Sequence, residues 1–154
     1  MRLITLNDVK LLVYRNGMIL RYSDKGGYHL VKGWQEQKDL PDKDGYVTIS
    51  LNGKFYKKHR IVAYAFLGLD ISNINQKIDH IDRNRQNNNL NNLRVVSHQK
   101  NSFNTYAKGY SKLRNKFQAQ IGINGKLIYL GTFITEEEAR NAYLEAKKIY
   151  HIIE

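Results

Sequence analysis

The chain has 154 residues, of which 42% are hydrophobic and 25% charged, a composition typical of a globular protein that excludes extended disorder. It has no cysteine, which excludes disulfides and Cys-ligated metal sites, and no apolar run reaches the roughly 18 residues of a membrane span. The net charge is +11, and the 53 residues between Asp82 and Glu136 contain nine Lys or Arg and no carboxylate. This stretch, whose charged side chains are all basic, predicts a nucleic acid partner.

The first 58 residues are predicted to form β-hairpins. Two pairs of β-rich runs each flank an Asn-Gly turn signal: residues 9–14 with 19–22, and residues 45–51 with 54–57. Trp34 is expected to pack on these hairpins. Two hairpins alone bury little apolar surface, so this segment should depend on the residues that follow it.

Residues 59–105 predict a helix followed by a ββα unit. Apolar residues recur at helical spacing in residues 59–67, and Gly68 is a typical helix stop. The ββα unit then consists of strand 76–81, loop 82–92, strand 93–97 and helix 98–104. Six of the nine residues from Asn84 to Asn92 are Asn, which predicts a loop held by side-chain hydrogen bonds.

Residues 106–154 predict a small sheet covered by one helix. The sheet contains an alternating strand at 116–123, an Asn-Gly turn and a return strand at 126–133. Thr135 and Glu138 have the spacing of a capping box, and the residues after them have an apolar face at helical spacing. The whole chain is therefore predicted to be an α+β protein.

The ββα unit contains the candidate catalytic and metal-binding residues. The end of its first strand should face its helix, which would bring Asp79, His80 and Asn101 around a gap. Asp79 and Asn101 offer oxygen ligands that suit Mg²⁺ or Mn²⁺, and His80 can take a proton from an attacking water. Asn92 is expected to bridge the loop and hold His80. Asp82 is a second nearby carboxylate, for which a role in the turn is favoured over a role as ligand.

The same residues resemble a known enzyme family. Residues 79–84 (DHIDRN), residues 87–97 (NNNLNNLRVVS), Asn101 and the upstream helix 59–66 (HRIVAYAF) are similar to HNH endonucleases of the phage and intron homing type. The resemblance implies a ββα-metal nuclease core in which Asp79 and Asn101 bind the metal, His80 is the general base and Asn92 is the middle motif residue. Many relatives carry His at the last position, and Asn101 follows the homing-type variant.

The C-terminal segment resembles the Apetala-two (ethylene-response-factor) DNA-binding domain. The similarity lies in residues 116–121 (KFQAQI), 129–133 (YLGTF), 135–139 (TEEEA) and 142–143 (AY). It implies a three-stranded antiparallel sheet, packed on one helix, that lies in the DNA major groove. Phe117 and Tyr129 replace Trp of the plant domains, and Gly122 replaces a base-reading Arg. The target sequence therefore cannot be transferred, and Gln118, Gln120 or Arg114 can read bases instead.

These observations predict three segments: an N-terminal β-hairpin extension (1–58), an HNH core (59–105) and an Apetala-two-like reader (106–154). The expected function is metal-dependent cleavage of double-stranded DNA by a phage- or intron-encoded homing endonuclease, with nicking favoured over double-strand cleavage. A DNA-binding protein without activity is the alternative, and an RNA-binding protein is a third interpretation. The expected DNA contacts are Lys57, Lys58, Arg60, Arg83, Arg85, Lys112, Arg114, Lys116, Gln118, Gln120, Lys126 and Tyr129.

The sequence also predicts where the protein works. The N-terminus lacks the apolar segment of a signal peptide. The absence of cysteine fits a reducing compartment, so the cytoplasm of a bacterial host cell is expected. We expect neither a membrane nor an obligate protein partner.

Overall fold

The computed structural model describes residues 1–26 and 31–152. It confirms the predicted α+β class, with several small antiparallel sheets and few helices. The chain divides into two compact units, Met1–Ser97 and His98–Glu154. The three segments predicted from the sequence remain a prediction about function.

The first unit begins with a four-stranded antiparallel sheet in the order β1-β2-β3-β4. Its strands are β1 Arg2–Leu6, β2 Val9–Val13, β3 Ile19–Ser23 and β4 Gly33–Glu36. The β2–β3 hairpin is the predicted one. Strand β1 was not predicted, because the turn before β2 is built from Asn7 and Asp8 at φ 50° and 61° without a glycine. Trp34 pairs with Tyr22 across β3 and β4 with ring centroids 5.2 Å apart, which confirms that Trp34 packs on the hairpins.

A second sheet, one helix and a β-ribbon complete the first unit. The elements are β5 Leu40–Pro41, β6 Val47–Leu51, β7 Lys54–Lys57, α1 Lys58–Phe66, β8 Lys77–His80 and β9 Leu93–Val96, with a short 3₁₀ turn at Leu90–Asn92. One hydrophobic core joins them to the N-terminal sheet: Leu11 and Ile19 from the sheet share it with Leu51, Ile61 and Val62, all fully buried. The N-terminal hairpins thus depend on the following residues, as the sequence predicts.

The β2–β3 turn packs closely on the loop that precedes the 3₁₀ turn. Gly17 has φ +90°, and a Cβ at this position would lie 2.8 Å from the backbone oxygen of Asn88. The amide of Leu90 donates to the carbonyl of Arg15 at 2.7 Å. Only glycine therefore fits at Gly17, and the N-terminal sheet supports the Asn-rich loop directly.

The second unit has the sheet and helix predicted from its sequence pattern. Its elements are α2 His98–Phe103, β10 Tyr110–Leu113, β11 Lys116–Ile123, β12 Lys126–Phe133 and α3 Glu136–Tyr150, with the strands in the order β10-β11-β12. Thr135 and Glu138 form the predicted capping box at the start of α3. Tyr143 and Ala146 of α3 bury Ile121 of β11. Gly109, at φ +80°, lies under Tyr143, where an added Cβ would be 1.9 Å from the ring.

No helix among residues 1–26 and 31–152 is long and apolar enough to cross a membrane.

Candidate active site

Asp79 and His80 are the last two residues of β8, and each is only 5% exposed. Strand β8 pairs with β9 so that Asp79 lies opposite Arg94 and His80 opposite Leu93. Successive residues of a strand point to opposite faces. The ribbon therefore gives the carboxylate and the imidazole different immediate neighbours, although the charge of Asp79 still acts on His80.

Arg94 holds the carboxylate of Asp79. Its Nε donates to Asp79 Oδ2 at 2.8 Å, and its Nη2 lies 2.6 Å from the same oxygen. The Asp79 side chain is almost fully buried, whereas a quarter of the Arg94 side chain is exposed. Two charge-assisted hydrogen bonds fix the carboxylate and compensate its burial.

His80 is a neutral imidazole at neutral pH. Burial lowers its pKa, and this effect outweighs the contrary influence of Asn88 and of the carboxylates of Asp82 and Asp79. Its Nε2 lies 3.4 Å from Oδ1 of Asn88, which is itself buried. The neutral form is the one that accepts a proton, so the state of His80 suits a general base.

The rings of His59, His80 and Tyr46 form one cluster of three. The rings of His59 and His80 stand edge to face, with centroids 5.0 Å apart and planes at 84°. The Tyr46 ring is 5.1 Å from His59 and 6.1 Å from His80. Burial, and next the proximity of His80, lowers the pKa of His59 to about 3, and its buried Nδ1 has no hydrogen-bond partner among the described residues.

The Asn-rich loop after β8 is held by side-chain hydrogen bonds, as predicted. Asn92 accepts from the amide of Asp82 at 2.9 Å and donates to Asp82 Oδ1 at 2.8 Å and to the Asn87 carbonyl at 2.9 Å. Asp82 also accepts from Asn84 and Asn87. Although its partial burial acts the other way, these hydrogen bonds lower the pKa of Asp82. Asp82 thus has the favoured role in the turn, and Asn92 bridges the loop.

The residues of the site fit a divalent ion only with help from the substrate. Among the described residues, no three His, Asp or Glu side chains cluster so as to hold a metal. Asp79 provides a single buried carboxylate. Mg²⁺ commonly binds through one or two protein oxygens and completes its shell with water and phosphate oxygens, so this donor set suits it. Asn101 lies on α2 of the second unit, and its role as ligand remains a prediction.

The cations predicted to contact DNA in the first unit fall into two groups. Arg83 and Arg85 are exposed on the loop, and Lys57 is partly exposed. The Lys57 ammonium lies 3.8 Å and the Arg85 guanidinium carbon 4.8 Å from the centroid of the Tyr46 ring. These charges therefore lie next to the ring cluster that contains His80.

Lys58 and Arg60 are occupied inside the first unit. Lys58 is buried and forms an ion pair with Asp39. The Arg60 guanidinium donates to four backbone carbonyls of the loop before β8: those of Asp70, Ile71, Asn73 and Gln76. These contacts stabilise the loop, and the DNA contacts of Lys58 and Arg60 stay a prediction.

In the second unit, four of the predicted contacts share one face of the sheet. Ala119 and Ile121 are buried towards α3, so the alternating β11 residues between and beside them point to the opposite face. Gln120 pairs with Tyr129, and Tyr129 shares a 2.8 Å hydrogen bond with Thr132. The residues on this face include Lys116, Gln118, Gln120 and Tyr129. Arg114 occupies the β10–β11 turn at φ +54°, and Lys112 and Lys126 are exposed at other positions of the sheet.

Three residues of the first-unit site were not predicted from the sequence. Arg94 pairs with Asp79, Asn88 contacts His80, and Tyr46 packs on both histidines. Arg94 could have been predicted as the partner of Asp79, because the correct register of strands β8 and β9 places the two residues opposite each other. Nothing in the sequence distinguished Asn88 from its neighbouring asparagines, or Tyr46 from the other tyrosines.

Comparison with known proteins defines the class of this site. Residues 56–103 match the family model described as HNH endonuclease. This segment is therefore similar to an HNH endonuclease domain, the family that the sequence resemblance predicts. The matched residues include α1, β8, the Asn-rich loop, β9 and α2.

Two individual proteins are similar to the chain. An uncharacterized HNH endonuclease of Acanthamoeba polyphaga mimivirus, L560, is 37% identical over 79 residues, a match that covers 47% of this chain and 42% of that protein. The chain thus spans less than half the length of this relative. The solved structure of DNA binding and cleavage by the HNH homing endonuclease I-HmuI has a similar fold, with a TM-score of 0.50, 22% identity and coverage of 100% of this chain and 93% of that one.

Proposed function

We propose that the protein is a metal-dependent endonuclease that hydrolyses phosphodiester bonds in double-stranded DNA. The observation that carries the proposal is the buried Asp79–His80 pair at the end of β8, within the segment that matches HNH endonucleases. Hydrolysis of a phosphodiester requires a group that takes a proton from water and positive charge beside the phosphate. The first unit offers both.

His80 is the proposed general base. Its imidazole is neutral at pH 7 because burial lowers its pKa, and a neutral ring nitrogen accepts a proton from the attacking water. Asn88 and the ring cluster hold this imidazole, and Asn92 holds the loop that contains Asn88. Asn92 thus supports the base through the loop backbone.

Asp79 is the proposed ligand of Mg²⁺ or Mn²⁺, and the sequence pattern adds Asn101. Arg94 fixes the Asp79 carboxylate through Oδ2, so the carboxylate has a defined orientation before an ion arrives. When bound, the ion supplies stabilisation of the negative charge that develops on the phosphate and on the leaving oxygen.

Lys57, Arg83 and Arg85 are the proposed phosphate contacts of the first unit. Lys57 and Arg85 flank Tyr46, whose ring packs on His80. They therefore lie close enough to the base to hold a phosphate that is being hydrolysed. Such contacts position the duplex but carry no sequence information.

The sheet of the second unit is the proposed sequence reader, in the manner of an Apetala-two domain. Gln118, Gln120, Tyr129 and Lys116 share the face opposite α3, where amides can contact base edges. The acid-free stretch adds Arg114, Lys112 and Lys126 as phosphate or base contacts. With a reader and a nuclease core in one chain, the protein fits a homing endonuclease of phage or intron origin that works in the cytoplasm of its host, and a single catalytic site favours nicking.

The ion pair between Arg94 and Asp79 favours the second candidate, a DNA-binding protein without activity. Arg94 donates twice to Oδ2 of the proposed ligand Asp79. If the ion cannot compete with this ion pair, the protein binds DNA through the same cations and does not cleave it.

A plasmid assay separates the two candidates. Wild-type protein should convert supercoiled plasmid carrying its native genomic DNA to the open circle with Mg²⁺ or Mn²⁺, and EDTA should stop the reaction. His80→Ala should lower the rate about 10²- to 10⁴-fold through loss of the base, with DNA affinity unchanged. His98→Ala is the matched control, since His98 is exposed on α2.

Three outcomes of this assay would contradict the proposed mechanism or the proposed activity. Cleavage by His80→Ala at the wild-type rate would remove His80 from the reaction, and cleavage in EDTA would remove the metal. Tight DNA binding by the wild type, without cleavage in either metal, would establish the non-enzymatic candidate.

A further inference from the structure

The imidazole of His80 is bordered by Asn88 and by the rings of His59 and Tyr46. Its Nε2 lies 3.4 Å from Asn88 Oδ1, at the long end of the hydrogen-bond range. A general base must be held within a narrow range of positions, because a displacement of about 1 Å can cost about 10²-fold in rate. The rings that pack on His80 therefore matter for its geometry.

His59 is the closest of these rings. It stands edge to face against His80 at 5.0 Å and 84°, an arrangement that aromatic pairs prefer. It is 5% exposed and lies on the first turn of α1, which is anchored by the fully buried Ile61 and Val62. Tyr46 packs behind both rings. His59 is thus a rigid wall on one side of His80.

The position of His59 is fixed by the hydrogen bonds of its neighbour Arg60 as well as by packing in the core. The neighbouring Arg60 is bound to four carbonyls of the loop that leads into β8. This loop joins the helix that carries His59 to the strand that carries His80. The two histidines are therefore connected by a short, well-bonded segment, and their spacing is set before any substrate binds.

We propose that His59 is a positioning residue that holds the imidazole of His80 by edge-to-face packing and so aligns the general base. The inference deepens the proposed function and rests on it for its catalytic consequence. The electrical state of His59 agrees with this role, since burial keeps it uncharged next to a base that becomes positive when it accepts a proton.

Two variants of His59 and one of Val62 test the proposal. His59→Ala removes the ring, whereas His59→Phe keeps an aromatic edge in the same place. Val62→Ala is the matched control, because it removes buried atoms from the same helix and destabilises the fold but keeps all three rings. All three are made in the full chain, and their thermal unfolding is measured first.

The direct readout is the position of the His80 ring, followed by NMR of the imidazole protons and nitrogens in protein with labelled histidine. In the wild type, His80 ring protons should show a nuclear Overhauser effect to the His59 ring. His59→Ala should shift and broaden the His80 ring signals, while His59→Phe and Val62→Ala leave them sharp. Unchanged His80 signals in His59→Ala would overturn the proposal.

The second readout is cleavage at saturating DNA. His59→Ala should lower kcat about 10- to 100-fold with KM unchanged, and His59→Phe should stay within about threefold of the wild type. Equal loss in His59→Ala and Val62→Ala, in proportion to their unfolding, would reduce His59 to a structural residue and overturn the proposal. If the wild type does not cleave DNA but the NMR result holds, the proposed function fails and the positioning of His80 by His59 stands.

Discussion

Lowering the pH from 7 to 5 should destabilise the first unit through His59. Its pKa is about 3 in the folded protein because of burial, against about 6.5 when exposed. The stability from keeping His59 neutral is therefore fully present above pH 6.5 and is lost as the pH falls towards 3, since only the unfolded chain takes up the proton. Each pH unit within this window costs about 1.4 kcal/mol, so the fall from pH 6.5 to 5 costs about 2 kcal/mol.

Urea unfolding between pH 7 and 5, followed by Trp34 fluorescence, measures this loss. Below this range the carboxylates of Asp42, Asp70 and Asp82, whose pKa values are also lowered, begin to titrate in the unfolded chain and would confuse the result. His59→Phe provides the reference, because it cannot take up a proton. The free energy of unfolding of the wild type should fall relative to that of His59→Phe, and parallel curves would refute a buried neutral His59.

Three further predictions concern other contacts. Arg94→Met leaves the buried Asp79 carboxylate without its cation, which should lower the free energy of unfolding by about 2 to 3 kcal/mol; a loss below about 0.5 kcal/mol in urea unfolding at pH 7 would contradict this. Gly109→Ala should destabilise the second unit by at least about 2 kcal/mol, because the new methyl group collides with Tyr143 at a backbone φ of +80°; an unchanged melting curve would show that the ring moves freely. Gln120→Ala should weaken the preference for target over random duplex by about 1 to 3 kcal/mol, without changing the salt dependence of binding; fluorescence anisotropy measures both, and unchanged selectivity would remove Gln120 from base reading.

Much of the fold could be predicted from local sequence signals. The β2–β3, β6–β7 and β11–β12 hairpins each have a turn that contains Gly, and the capping box marks the start of α3. Strands β1, β4 and β5 lack such a signal, because β1 is followed by an Asn-Asp turn without glycine and β4 and β5 are short. Strand β10 was expected only from the resemblance to the Apetala-two domain.

The site was predictable only where its residues are close in the sequence. Asp79 and His80 are adjacent, and the bonds of Asn92 lie within one loop. The contacts of His80 with His59 and Tyr46 join residues that are far apart in the chain, and no local pattern encodes them. Lys58 and Arg60 show the same limit, since a sequence gives the charge of a side chain but not the buried partner that it binds.

The close fit of Gly17 on Asn88 limits how this chain can be recombined with other proteins. Asn88 contacts both Gly17 and His80, so a single residue links the turn between β2 and β3 to the proposed general base. A junction at residue 58 would separate this turn from the loop that it supports and would divide a common core. An exchange of gene segments after α2, beyond residue 103, keeps the turn, the loop and Asn101 in one segment. Under the proposed function, exchange of the segment after α2 is therefore the simplest route to an altered DNA target.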